Sequence, residues 1–309
     1  MAAYPKRLRL LTALVAVVGG VWATGPTVVA HAQAETGRQA SVRDGGQVTR
    51  IISLVPALTE VLFAIGAGPQ VVAVSSYDDF PPEVKALPRV GALLDPDVER
   101  ILALRPNLVL TYGSQNALEM QLTRAGIRTF TYRHGGVAGV LETVRDLGAA
   151  TGHAADGERK AREIEAQLDA VRTTVRPFSR PRTLLVFSRQ PQSLQQMYVS
   201  GGGGFLDDIL QIAGGANVFA DVPRESVQPS HETLLARAPE VIIELHSAGM
   251  MASTGVLRER SLWATLASIP AVRSDRIHFL EGSYLVVPGP RVGLAAEALA
   301  RALHPEAFR

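Results

Sequence analysis

The chain of 309 residues contains no cysteine. Disulfides therefore cannot staple it, thiolate metal sites are excluded, and no lipidated cysteine can follow a leader. Excess charge is also missing, because 31 basic residues face 29 acidic ones. Aromatics make up only 6% of the chain, with two tryptophans among them. The histidines never fall at the i, i+4 or H-x-H spacings of common zinc sites. No G-x-S-x-G elbow and no recognisable Ser-His-Asp order occurs, and no paired carboxylates declare an acid/base geometry. What is abundant is apolar material: 47% hydrophobic content with 19% charge describes a globular protein with an ample core.

The first 32 residues differ in kind from the rest. Lys6, Arg7 and Arg9 precede the apolar stretch Leu10–Trp22, and small residues follow at Ala30-His31-Ala32 and Ala32-Gln33-Ala34. A basic start, an apolar middle and a small-x-small end are the parts of a secretory signal peptide. A retained membrane anchor is the competing reading, but Gly19-Gly20 interrupts a run already shorter than the ~20 residues that span a bilayer. Removing the leader leaves 31 − 3 = 28 basic residues against 29 acidic, a net charge near −1. That balance argues against nucleic acid as a partner. The expected address is the periplasm, with the mature protein soluble and free. Residues 33–48, polar and Gly-rich, read as a linker.

Beyond the linker one phrase organises the sequence. Glu99–Leu110, ERILALRPNLVL, returns in degraded form at Glu232–Ile243, ETLLARAPEVII, 232 − 99 = 133 residues later. Each copy reads as a short helix halted before a proline (Pro106, Pro239) and followed by a buried strand. The interval far exceeds a solenoid period of roughly 20–50 residues, and fits two similar lobes. Strand-helix-strand patterns over 51–74 imply a parallel sheet. Ala155–Val175 is the longest helical pattern, with Ala161, Ile164, Leu168, Val171 and Val175 at three- and four-residue steps and charges elsewhere. At about 30 Å it can cross from one lobe to the other, and its heptads are too few for a coiled coil. The expected fold is α/β: two similar lobes, each a mostly parallel sheet flanked by helices, joined by one long rigid helix. The expected boundaries are an N-terminal lobe over 49–152, the interdomain helix over 153–178 and a C-terminal lobe over 179–309.

Few residues carry obvious chemistry. Gly201–Gly204 precedes a helix but lacks both the Lys-Ser/Thr ending of a P-loop and the spacing of a dinucleotide fingerprint, so turn chemistry or backbone room explains it better. His231 stands out among the histidines because it adjoins Glu232 after a loop expected to face a cleft. Tyrosines recur at strand-end loops, Tyr77 and Tyr112 in the first lobe and Tyr198 and Tyr284 in the second. Ligands of open α/β sheets bind at such loops, and tyrosine suits a broad, partly apolar guest. Glu99 and Glu232 open matching helices, where the dipole tolerates an acid. Alternatively they are one exposed acid per lobe, arranged to meet a two-fold symmetric basic partner.

The segments SSYDDFPP at Ser75–Pro82, ERILALRPNLV at Glu99–Val109, AGGxNVF at Ala213–Phe219 and SHETLLARAPEVI at Ser230–Ile242 together resemble the cobalamin-type, helical-backbone (class III) periplasmic solute-binding proteins of ABC importers. The similarity runs in order over most of residues 49–304. It implies a monomeric, bilobal receptor that is not an enzyme, has no cofactor of its own, closes little, and delivers a corrinoid (cobalamin) to a transmembrane permease dimer. By matched position Tyr77 contacts the corrin, Tyr112 and Tyr198 supply aromatics from opposite lobes, and Glu99 and Glu232 dock on permease arginines. The expected cleft set is Tyr77, Asp78, Tyr112, Tyr198, Tyr284 and Arg291. Where cobalamin binders carry tryptophan this chain has Leu93 or Leu94, and Arg224–Ser226. Haem and ferric-siderophore receptors share the architecture, and they give two alternatives. Haem would draw on Tyr77 or His231 as a contact to the ligand's metal. A siderophore would draw on Arg189, Arg224 and Arg291. A rival from another class is an exported metal-dependent hydrolase using His231 with Asp78 or Asp79. A sensing subunit docking on a signalling receptor is a further one.

Overall fold

A computed structural model describes residues 47–246 and 253–309. The leader and nearly all of the linker lie outside the described residues. Among the described residues no helix is long and apolar enough to cross a membrane.

The chain opens with β1 (Ile51–Ser53), α1 (Pro56–Ala64) and β2 (Val71–Val74), then α2 (Val98–Ala103), β3 (Leu108–Tyr112), α3 (Asn116–Arg124) and β4 (Arg128–Tyr132). These strands form a sheet in the order β2-β1-β3-β4, every pair parallel. Two helices follow, α4 (Val137–Thr151) and the 22-residue α5 (Ala154–Val175). The second sheet is built from β5 (Arg182–Ser188), β6 (Tyr198–Ser200), β7 (Ala216–Asn217), β8 (Ser226–Val227), β9 (Val241–His246) and β10 (Ile277–Glu281). Its helices are α6 (Phe205–Ile212), α7 (His231–Arg237), α8 (Ser253–Leu262), α9 (Pro270–Arg273) and α10 (Val292–Leu303). Strands β10, β9, β5 and β7 are parallel, and β6 and β8 extend the sheet antiparallel.

The duplicated phrase occupies equivalent places in both sheets. In each copy an N-cap side chain opens the helix: Asp97 accepts the Arg100 N–H at 3.0 Å and Ser230 accepts the Thr233 N–H at 3.2 Å. Both helices are followed by a left-handed residue just before the proline, Arg105 at φ 48° and Ala238 at φ 45°. The strand that follows then pairs in parallel with the first strand of its lobe, Leu108 opposite Ile51 and Val241 opposite Thr183.

Successive strand residues point to opposite faces, and both faces are covered. Ile51, Leu108, Leu110, Leu185 and Ile243 face a central core that also takes in Leu62, Leu147, Ile164, Leu168, Leu210 and Leu299. Ile52 and Val109 face a second core with Leu118 and Leu122, and Leu184 and Ile242 face a third around Trp263. The central core is continuous from the first sheet through α5 to the second. Its existence makes the long helix a shared wall between the lobes.

Helices α4 and α5 form a tight antiparallel hairpin in which Gly148 and Gly157 meet backbone to backbone. A Cβ on Gly157 would lie 2.9 Å from the Val144 carbonyl oxygen and 3.1 Å from the Gly148 Cα. Gly157→Val is therefore expected to push the helices apart and lower stability by about 1–3 kcal/mol. Urea unfolding would show it as a lower midpoint at unchanged slope; an unshifted midpoint would contradict the packing described.

Candidate functional site

The carboxyl ends of the parallel strands in both sheets point toward the junction of the lobes, and an aromatic crevice lies there. From the first lobe come Pro56, Ala57, Tyr112, Tyr132 and His134; from the second, Phe187, Gly203–Leu206, Glu225, Ser226 and Val286–Pro288. The atom-free space, counted out to the open mouth, is about 920 Å³. Tyr112 and Tyr132 are the final residues of neighbouring strands and lie opposite each other in register, so their rings meet edge to face at 6.0 Å. His134, two residues further on, stacks on Tyr112 at 6.1 Å and lies edge-on to Tyr132 at 5.2 Å. Burial pushes both phenol pKa values up, so both tyrosines remain O–H donors at neutral pH. Glu225 lies across from Tyr132, close enough for its charge to reinforce that shift.

Two polar contacts fasten the lobes behind this crevice. Arg291, preceding α10, donates to both carboxylate oxygens of Glu60 in α1, with Nε at 2.7 Å, and its guanidinium lies 3.9 Å from the Phe80 ring centre. Glu60 is buried, and burial raises its pKa even though the Arg291 bonds pull the other way. The second contact is a helix cap supplied from the opposite lobe. The first residue of α4, Val137, donates its N–H to Asp208 Oδ2 of α6 at 2.7 Å. The helix's own N-cap, Gly136, has no side chain to offer, and a Cβ there would sit 2.2 Å from that oxygen.

Residues 51–284 match the family described as periplasmic binding protein. The chain belongs to this family. It is 32% identical over 256 residues to the vitamin B12-binding protein of Salmonella typhimurium, covering 82% of this chain and 90% of that one. A vitamin B12-binding protein of Pectobacterium carotovorum is 29% identical over 255 residues, covering 81% and 86%. Among solved structures, the apo periplasmic heme-binding protein RhuT of Roseiflexus sp. RS-1 superposes with a TM-score of 0.71 at 30% identity, over 85% of this chain and all of that one. The periplasmic vitamin B12-binding protein BtuF of Vibrio cholerae gives 0.71 at 26% identity, over 85% and 98%. These neighbours share the two-lobed α/β architecture.

Of the residues the sequence nominated, Tyr112 lines the crevice of this binding protein. Tyr77, 38% exposed, stands on the loop after β2, outside the lining residues. Tyr198 packs against Phe187 with ring centres 6.5 Å apart, and Tyr284 lies beside Arg291. Asp78 needs correction as a ligand contact. Its side chain is buried, and its Oδ2 accepts the Ser75 N–H at 2.8 Å and the Ser75 hydroxyl at 2.5 Å. It holds the loop that carries Tyr77. Arg291 has its guanidinium held by Glu60 and lies outside the lining residues. Arg189 is buried between Glu244 (2.9 Å) and Glu259 (2.5 Å) instead of lining a cleft. Burial would push Glu244 up, but bonds from His246, Arg189 and Trp263 outweigh it and hold its pKa below the ordinary carboxylate value. Arg224 is exposed and lies outside the lining residues. His231 sits on the second lobe with Nε2 3.4 Å from the Leu194 carbonyl, whereas Asp78 is buried in the first lobe. Among the described residues no hydrogen bond or ion pair joins His231 to Asp78 or to the exposed Asp79, the two partners a hydrolase reading would use. Among the described residues no group of three metal-ligating side chains converges. The N–H groups of Gly201, Gly202 and Gly203 bond the carbonyls of Glu225, Val222 and Arg224, so this run is a turn packed on its own lobe.

Tyr132, His134, Phe187, Glu60 and Glu225 were not singled out from the sequence. Tyr132 and His134 satisfy the strand-end criterion already applied to Tyr112, and Glu60 is the lone acid within the otherwise apolar PALTEVLFA. Glu225 lies in Arg224–Ser226, the stretch standing where cobalamin binders carry tryptophan, but nothing local marks the acid itself.

Burial raises the Asp78 pKa from 3.8 to about 6 against the pull of its hydrogen bonds from Ser75. Its folded pKa lies above its unfolded value, so the fold favours the protonated acid. That contribution is complete below pH 3.8 and is lost as pH rises through about 6. The difference corresponds to about 3 kcal/mol. Asp78→Asn should remove this slope, so its stability relative to the parent rises between pH 4 and pH 7 by up to that amount; a relative stability independent of pH would contradict the assignment.

Proposed function

We propose that this chain is a soluble, monomeric binding protein of the periplasm, exported by a cleaved leader, that takes a corrinoid into the interlobe crevice. Glu99 and Glu232 then present it to the permease dimer of an ABC importer. Kinship with the vitamin B12-binding proteins supports this reading, and the chemistry of the crevice wall supports it independently. Apolar and aromatic faces on both lobes suit a flat macrocycle. Glu225 is the one carboxylate among the lining residues, and no lysine or arginine joins it there. A corrinoid carries neutral amides on its periphery that can donate to such a carboxylate. Haem carries two carboxylates, which it would repel.

The observation that carries the proposal is therefore the lone acid in an otherwise apolar crevice. Glu99 and Glu232 are exposed, each in the first turn of its helix. His134 favours haem as the second reading, because it is the one imidazole lining the crevice and an imidazole can ligate iron. A siderophore reading loses support, since two of its three arginines, Arg189 and Arg291, are bound to carboxylates.

Titration of the purified protein with cyanocobalamin and with haemin, followed by calorimetry and absorbance, separates these readings. Cyanocobalamin should bind one to one and at least about tenfold more tightly than haemin, a gap of ~1.4 kcal/mol or more. Glu225→Gln should narrow that gap from both sides. Tighter haemin binding, with a Soret shift abolished by His134→Ala, would replace the corrinoid with haem.

A further inference from the structure

The two copies of the organising phrase expose and bury the same four positions of their helices. Glu99 and Glu232 are exposed in the first turn of α2 and α7, and two residues later Ile101 and Leu234 are completely buried. One residue further on, Leu102 and Leu235 turn outward and are 39% and 40% exposed. The burial of Ile101 and Leu234 fixes the helical phase in each lobe, so the leucines stand in the open because of where the helix is anchored. A residue three positions along a helix shares a face with its starting point, with Cβ atoms ~5–6 Å apart. Each acid thus has an apolar neighbour one turn away, followed by an exposed alanine, Ala103 or Ala236. Neither glutamate forms an ion pair among the described residues. The Glu232 carboxylate is held in its ionised form by a hydrogen bond from Ser230.

We propose that Leu102 and Leu235 are a matched pair of apolar docking contacts, each beside an exposed glutamate, that seat in equivalent apolar sockets on the two halves of a two-fold symmetric membrane permease. The inference rests on the reading of Glu99 and Glu232 as docking acids and extends it. A carboxylate alone gives attraction that salt screens and that many basic surfaces would satisfy. An apolar knob at a fixed offset from the charge adds a contact that needs a fitting socket. A partner with two-fold symmetry needs the same knob-and-charge pair from both lobes, and the duplicated phrase supplies it despite low identity between the copies elsewhere. The socket should hold a basic side chain at its rim and aliphatic or aromatic groups at its base.

The test uses the full mature chain and the ABC permease of its own organism in lipid nanodiscs, with binding measured at low and high salt. Leu102→Ser with Leu235→Ser should weaken binding at least about tenfold, by a factor that high salt leaves unchanged, and each single substitution should account for a comparable share. Cyanocobalamin affinity should stay as in the parent, which also reports that the variant is folded. Glu99→Ala with Glu232→Ala should weaken binding by a factor that shrinks as salt rises. Parental permease binding by the leucine variant beside impaired binding by the glutamate variant would overturn the leucine contacts and leave the docking acids standing. Parental binding by both variants, or no binding by the unmodified protein, would overturn the two together.

Discussion

The crevice depends on a buried ion pair that crosses the lobe junction. Glu60 belongs to the first helix of one lobe and Arg291 to the entrance of the last helix of the other, and the guanidinium clasps the carboxylate with two bonds. Burial works against the charged form of Glu60, and Arg291 works for it. Such a pair adds little stability compared with an apolar replacement, yet removing one partner costs about 3–5 kcal/mol because it strands the other charge. Its consequence is positional. Phe80 from the first lobe lies against the same guanidinium, so one side chain registers two segments of the opposite lobe. The Asp208 cap on α4 and the core continuous through α5 act in the same sense. Three separate features hold the lobes in one relation.

With the lobes held by these contacts, the crevice walls can be largely apolar. The binding surface need not be assembled by closure, so affinity can come from burying the faces of a flat guest between rings already in place. Tyr112, Tyr132 and His134 form one such wall, each ring steadied by the others. Phe187, the Gly203–Leu206 turn and Val286–Pro288 form the facing one. Discrimination then falls to the few polar groups left at the edge, and Glu225 carries the charge there. The same rigidity serves delivery. If the lobes move little, the two outward-facing helices keep a fixed spacing, and a symmetric partner can recognise both together.

Much of the architecture was legible in the sequence because it rests on local rules. The continuous apolar runs of the strands, the duplicated helix-proline-strand phrase and the apolar stripe of α5 are each visible within a short window. The bounds of α5, read as Ala155–Val175, are observed from Ala154, whereas the strand of the second copy, read as far as Ile243, runs on to His246. The site was less legible, since it is made by residues distant in the chain. Arg291 is held by Glu60, 231 positions earlier, and no spacing rule links the two. Asp78 sits beside an outward tyrosine and turns inward because Ser75 offers it two hydrogen bonds, a distinction that depends on the loop's backbone. Glu225 faces Tyr132 only once two sheets are docked.

The fixed relation of the lobes is the central claim, and it can be measured directly. Because the chain has no cysteine, Met120→Cys on the first lobe and Ala267→Cys on the second, both exposed positions, give a unique pair of spin labels. Pulsed dipolar spectroscopy should return a single narrow distance distribution that does not move when cyanocobalamin is added in excess. A broad or two-peaked distribution in the free protein, or a shift of several ångströms on binding, would contradict the account.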